Sequence, residues 1–248
     1  MSVRNRIRGW AIPIGACAAV LGAGALLFLV WTHNVPLRVI ETDRAALEAI
    51  LAADSALLEP SPTERTFGEE IQIVRTIQSS VLRVAPLRKA IPRGQPREPA
   101  DLLRAGRGLC YDRVRTMEKG FREAGFDVRH AALYSTEGGW LGWLCLFRPG
   151  VPSHAVAEVR TSRGWLVVDP NHAWVSLDSD GLPLGLRELR AAAGEGRNVC
   201  EQPPPEPILR SPFFYVYGLY SRHGGFYPPY TPFPDVNLPE LTLNLSRP

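Results

Sequence analysis

Apolar positions recur at helical spacing in the first half of the chain. In residues 43–58, Ala46, Leu47, Ile50, Leu51, Leu57 and Leu58 fall near one face, and Asp43 stands where an N-cap would. Pro60 and Pro62 end that segment. Thr66 then opens a second helix with Glu69 three positions on, a capping box, followed by a stripe of Ile71, Val74, Ile77, Val81 and Leu82. Pro86 stops it, and the basic, Pro-rich stretch 87–100 reads as a surface loop. A third helix is expected from Gly108 or Cys110 to about Ala124, with Val114, Met117 and Phe121 inward and Gly125 as its left-handed cap.

The period then changes to two. Val128, His130, Ala132 and Tyr134 alternate as on a strand, and Trp140–Phe147 reads as another, aromatic strand. Residues 155–159 and 165–168 are two short strands, and Ser162-Arg163-Gly164 between them predicts a hairpin. Arg187–Ala193 is a short helix, and the chain from Pro203 onward reads as an arm of loops. Helices first and antiparallel strands afterwards make the fold class α+β, not a doubly wound sheet.

Residues 11–31 carry no charge and are long enough to span a bilayer at about 1.5 Å per residue. Trp10 and Trp31 bracket them, and Arg4, Arg6 and Arg8 precede them. By the positive-inside rule the N-terminus stays in the cytoplasm and the chain from residue 33 lies outside. A signal peptide cleaved near Ala23-Gly24-Ala25 is the rival, but apolar residues run on past that site. Cys17 reads as a small apolar residue of the span, not a lipidation site. The expected division is a cytoplasmic tail (1–9), a transmembrane anchor (10–32), a juxtamembrane helical linker (33–64), a catalytic domain (65–200) and a Pro/aromatic-rich arm (201–248).

Composition narrows the function. A net charge of +3 without a basic run among aromatics argues against nucleic acid. Four cysteines with no CxxC pair build neither a disulfide miniprotein nor a structural zinc site. Cys145 and Cys200 are expected to bond to each other or stay buried, which leaves Cys110 free. No acidic calcium loop and no phosphate loop are present, and no cofactor is called for.

Three segments carry chemistry together. Gly106-Arg-Gly-Leu-Cys-Tyr-Asp112 puts Cys110 at a helix start, where the macrodipole and free N–H groups favour a thiolate and an oxyanion. Ser153-His154-Ala155 opens one strand of the hairpin, and Trp165-Leu-Val-Val-Asp169-Pro170 closes the other. His154 and Asp169 therefore share one end of the hairpin, an imidazole beside a carboxylate. His172 and His223 are alternative bases. A metal site from Cys110, His154 and Asp169 has suitable ligand types but no evident fourth ligand.

Gly108-Leu-Cys110, then His154-Ala-Val-Ala-Glu158-Val159, then Gly164-Trp165-Leu-Val-Val-Asp169-Pro170 resemble the signature of transglutaminase-like domains. The resemblance covers roughly residues 66–175 and implies a papain/transglutaminase-like core, helices packed on an antiparallel sheet. It also implies a Cys110-His154-Asp169 triad working through a thioester, as a transferase, protease or amidase without cofactor or metal. The setting expected for it is the outer side of a bacterial inner membrane, with a single pass and a periplasmic or extracellular domain. Its substrate would be a protein, peptide or glycopeptide. Trp165, His223 and Tyr227 are candidate substrate-binding residues. The aromatic arm, from Phe213 to Tyr230, either straps the domain or walls a groove. The alternative is an anchored scaffold of envelope or exopolysaccharide assembly whose transglutaminase-like domain is not catalytic.

Overall fold

A computed structural model describes residues 20–25, 27, 28, 31–58, 65–137, 142–147, 150–221 and 235–245. The chain divides into two units, Met1–Asn34 and Val35–Pro248. Most of the expected anchor, with Cys17, lies outside the described residues. Among those described, no helix is long and apolar enough to cross a membrane. Within the first unit, residues 20–25 and 31–33 are helical, and Val20, Leu21, Leu27, Phe28 and Trp31 are exposed.

The second unit begins with α1 (Glu41–Leu51), which continues as a 3-10 helix over Ala52–Leu58. Asp43 is not its N-cap. It sits in the first turn and its carboxylate accepts the Ile40 N–H at 3.0 Å. α2 (Phe67–Val84) starts with the expected box: Thr66 Oγ1 accepts from the Glu69 N–H, and Glu69 reaches back to the Thr66 N–H at 2.7 Å. A helix that the sequence did not suggest, α3 (Pro99–Ala105), takes the last two residues of the expected loop and follows it directly. Pro99 occupies a first-turn position, where its missing N–H costs nothing. α4 (Cys110–Glu123) follows, and Gly125 beyond it takes the left-handed conformation at φ 88°.

The sheet is antiparallel, in the order β3-β2-β1-β4, from β1 (Val128–Ser135), β2 (Ser153–Thr161), β3 (Gly164–Val168) and β4 (Phe213–Tyr217). The β2–β3 hairpin is as expected, with Val168 opposite Ala157. Two expectations fail. Gly142–Phe147 is a 3-10 helix, not a strand. The segment after Pro203 is not an arm: β4 pairs with β1, Leu133 opposite Tyr215, and forms an edge of the main sheet. α5 (Leu186–Gly194) lies between β3 and β4 in the chain. Residues 219–242 add a small ribbon, β5 (Leu219–Tyr220) with β6 (Asp235–Val236), and α6 (Leu238–Thr242).

Both sheet faces are covered. On one, Ala155, Ala157, Val159, Leu166 and Val168 join Leu47, Ile50, Val74, Ile77, Met117 and Phe121 from α1, α2 and α4. On the other, Ala131, Leu133, Val156 and Val167 meet Leu186, Leu189 and Ala193 of α5 and the aromatics of β4. The supposed linker and arm are thus core parts of one unit, and the boundaries at 64/65 and 200/201 do not divide the structure. The start and end of this unit are joined as well. The Val35 N–H donates to Val236 O at 2.8 Å, Asn237 Nδ2 to Val35 O at 2.9 Å, and an Arg115 N–H to Pro36 O at 2.7 Å.

Candidate active site

Cys110 stands at the first position of α4, half-buried. The helix start is held by Asp112, whose Oδ2 accepts the N–H of Leu109 at 2.9 Å and of Ile91 at 3.2 Å. Burial pushes the Asp112 carboxyl up, and the two backbone N–H groups and Arg97 pull it back. Arg97 pairs with it at 2.6 Å, and both side chains are 1% exposed or less. Gly108 has ordinary φ and is needed for space: a Cβ there would lie 2.8 Å from Leu102 Cδ1 and 3.0 Å from Asp112 Cβ.

The hairpin delivers the other two groups. The chain leaving β3 at Asp169 runs back along the first residues of β2, where His154 stands. His154 Nε2 lies 3.3 Å from Asp169 Oδ1, and the ring also hydrogen-bonds the Cys110 side chain. Burial alone would lower the pKa of this imidazole. The hydrogen bonds to Asp169 and Cys110, together with their charges, outweigh it and raise it to about 10. Burial would likewise raise Asp169, yet its bond to the imidazolium and the Asn171 N–H hold it below the usual range. The structure thus brings Cys110, His154 and Asp169 together, with sulfur at a helix tip, imidazole in the middle and carboxylate behind.

Around them are residues that the sequence gave no reason to select. Gln78 of α2 is buried, and its Nε2 lies 2.8 Å from Asp169 O, 3.0 Å from His172 O and 2.8 Å from Trp174 O. The Asn171 N–H donates to Asp169 Oδ1 at 2.7 Å. The Asn171 side chain bridges Arg113, which donates to its oxygen, and Glu206, which accepts from its amide. Arg113 is 1% exposed, and its charge is felt at Cys110, Asp169 and Glu206. His172, the alternative base, has Nδ1 3.3 Å from Asp169 Oδ2 on the side away from His154's bond, and its side chain is 43% exposed. His154, Asp169 and Glu206 offer ligand atoms within 4.8 Å of one another.

Other expected residues lie elsewhere. Trp165 is four residues up β3 from Asp169, roughly 13 Å along a strand that rises about 3.3 Å per residue. The Arg129 guanidinium covers its ring at 3.7 Å, and Arg160 approaches at 5.5 Å, so the ring is a platform for two cations. His223 and Tyr227 lie outside the described residues. Phe213, Tyr215 and Tyr217 of the supposed arm are buried in the sheet. Cys145 and Cys200 are both buried, as expected, in separate apolar clusters, and no bond joins them to each other. Glu158 of the His-Ala-x-x-Glu-Val element is structural: its Oε1 accepts the Leu186 N–H at 2.7 Å and its Oε2 accepts from the Tyr217 hydroxyl at 2.5 Å.

No curated protein and no solved structure matches the chain. One family model does, over residues 63–170, from the start of α2 to just past Asp169. That stretch holds the nucleophile helix, the β2–β3 hairpin and all three aligned groups, and over it the chain is similar to the transglutaminase-like superfamily.

Proposed function

We propose that the protein is a cysteine-dependent acyl-transfer enzyme in which Cys110 attacks a carboxamide or peptide carbonyl. The observation that carries this reading is the hydrogen-bonded series Cys110–His154–Asp169, with the ring raised to about 10 and so held as imidazolium at neutral pH. The carbon–sulfur bond forms as the carbon–nitrogen bond breaks, and the leaving amine takes the proton from His154. Water or a second amine then attacks the thioester, gives its proton to His154, and frees the sulfur. Water makes the protein an amidase or protease, and an amine makes it a transglutaminase. The first N–H groups of α4 face the sulfur end of the helix and suit a developing oxyanion.

The substrate in this reading is a protein, peptide or glycopeptide on the outer side of a bacterial inner membrane, with the apolar N-terminal segment as anchor. Exposed Val20, Leu21, Leu27, Phe28 and Trp31 support the anchoring. Iodoacetamide labelling tests the chemistry. Cys110 should be alkylated at neutral pH at least tenfold faster in the native protein than in His154→Ala. Equal, slow labelling in both would favour the scaffold reading.

A further inference from the structure

A basic strap runs beside the nucleophile. We infer that Arg88, Lys89 and Arg107 select a polypeptide substrate that carries Asp or Glu close to the carbonyl that Cys110 attacks. This substrate class rests on the acyl-transfer reading above.

Residues 88–107 hold six lysines and arginines against two acids, a net charge of +4 in a chain whose total is only +3. The fold spends the acids of this region on other cations. Glu98 pairs with Arg115 and Lys119, Asp101 with Arg104, and Asp112 at the start of α4 with Arg97. Arg88, Lys89 and Arg107 have no such partner among the described residues. Arg88 and Lys89 are exposed, and Arg107 is half-buried with its Nε shielded from water and unbonded. The excess positive charge therefore collects on these three side chains.

Their place follows from how the strap is fastened. Leu87 forms a parallel bridge with Gly108, and the Ile91 N–H donates to Asp112 Oδ2 at 3.2 Å. The offset along the chain is 21 positions at both fastenings, so Arg88 and Lys89 run beside Leu109 and Cys110. Bridged chains lie about 4.8 Å apart, a gap that a lysine or arginine side chain spans. Arg107 belongs to the nucleophile's own segment, just before Gly108. On the hairpin side the acids are engaged: Asp169 faces His154 and His172, and Glu206 faces Asn171 and His172. A substrate carboxylate thus meets uncompensated cations on the strap side of the sulfur, which steers and orients it. Leu87, 49% exposed at the head of the strap, adds an apolar contact. Cations interleaved with apolar surface fit a polypeptide better than a glycan. An anionic bilayer lying on the strap would cover Cys110 as well and bar a polypeptide from it.

The test uses the full chain in mild detergent and a pair of reagents that differ by one charge, iodoacetate and iodoacetamide. Both attack the same sulfur, so the ratio of their rates cancels changes in thiol reactivity and reads the charge around it. In Arg88→Glu/Lys89→Glu the ratio should fall about threefold or more at low salt, and the fall should shrink as salt approaches about 0.5 M. The neutral pair Arg88→Gln/Lys89→Gln should give an intermediate ratio. The same charge reversal on α5, Arg187→Glu/Arg190→Glu, should leave the ratio as it is, because that helix covers the other face of the sheet. A Glu-rich peptide with one glutamine should protect native Cys110 from iodoacetamide, a Lys-rich counterpart should not, and the reversed strap should lose the protection. An unchanged ratio in both strap variants, an equal fall in the α5 variant, or equal protection by the two peptides overturns the inference; fast iodoacetamide labelling then leaves the enzyme reading standing. Phosphatidylglycerol discs that slow labelling relative to phosphatidylcholine discs, without protection by the Glu-rich peptide, give the strap to the bilayer and overturn the inference too. Slow iodoacetamide labelling that is the same in His154→Ala removes the enzyme reading itself, and the ratio then assigns no substrate.

Discussion

The side-chain amide of Gln78 carries the main chain of Asp169: its Nε2 lies 2.8 Å from the Asp169 carbonyl oxygen, across 91 residues of sequence. The same nitrogen is within reach of His172 O and Trp174 O, and with two N–H groups it must share them among three acceptors. The loop that presents the carboxylate to His154 is therefore hung from α2. Gln78→Leu keeps the volume and strands those carbonyls. We expect a loss of about 1–3 kcal/mol in urea unfolding, and slower alkylation of Cys110 as Asp169 loses its aim.

Gly108→Ala tests packing at the other end of the site. The added Cβ meets Leu102 Cδ1 at 2.8 Å, which can swing away, and Asp112 Cβ at 3.0 Å, which cannot. The first turn of α4 must shift, at a cost of roughly 1–3 kcal/mol in denaturant melts. The shift should lower the Cys110 labelling rate more than Gly68→Ala, where a Cβ meets nothing within 4 Å.

Arg97→Met removes the cation from a pair with almost no exposure to water. The Asp112 carboxylate is then buried with only backbone N–H partners. A loss of about 3–5 kcal/mol is expected at neutral pH. Asp112→Asn in the same background should recover part of it, read as the shift in urea midpoint.

The imidazolium of His154 contributes to stability in a defined pH window. Its ordinary value is 6.5 and its folded value about 10, so the folded state holds the proton more tightly. The contribution is fully present below 6.5 and is lost as pH rises through about 10. The stability difference between native and His154→Ala should be largest below 6.5 and shrink steadily toward pH 10. A difference that grows with pH would contradict the assignment.

Glu158 should behave in the same sense for a different reason. Burial raises its pKa above the ordinary 4.5, against the pull of Tyr217, Leu186 and Arg129. A carboxyl raised on folding supports the fold at acid pH and loses that support as pH climbs past its folded value. Glu158→Gln keeps an acceptor for the Leu186 N–H and carries no charge. Its melting temperature should exceed that of the native protein at pH 7, and the gap should close toward pH 4.

The helices that could be read in the sequence were those with local signals: the Thr66–Glu69 box, the stripe of α2, and Gly125 after α4. The hairpin was legible through Ser162-Arg163-Gly164, and with it the meeting of His154 and Asp169. β4 was hidden because prolines crowd its approach, and an edge strand needs no alternation when both of its faces are covered. Gly142–Phe147 was misread because a short apolar run fits a strand and a 3-10 turn equally well. Gln78 and Glu206 carry no local mark at all. Their importance comes from partners 91 and 35 residues away, which only the folded chain makes neighbours.

The joint at Val35 and Pro36 bears on how the protein withstands tension. Strain arriving from the leading segment passes first to the closing residues Val236 and Asn237 and to Arg115, a side chain of the helix that begins at Cys110. Trimming the last fourteen residues would unfasten the front of the body, although the cut lies some two hundred positions downstream. Any shortened version designed around residues 63–170 alone would also give up an edge of its sheet.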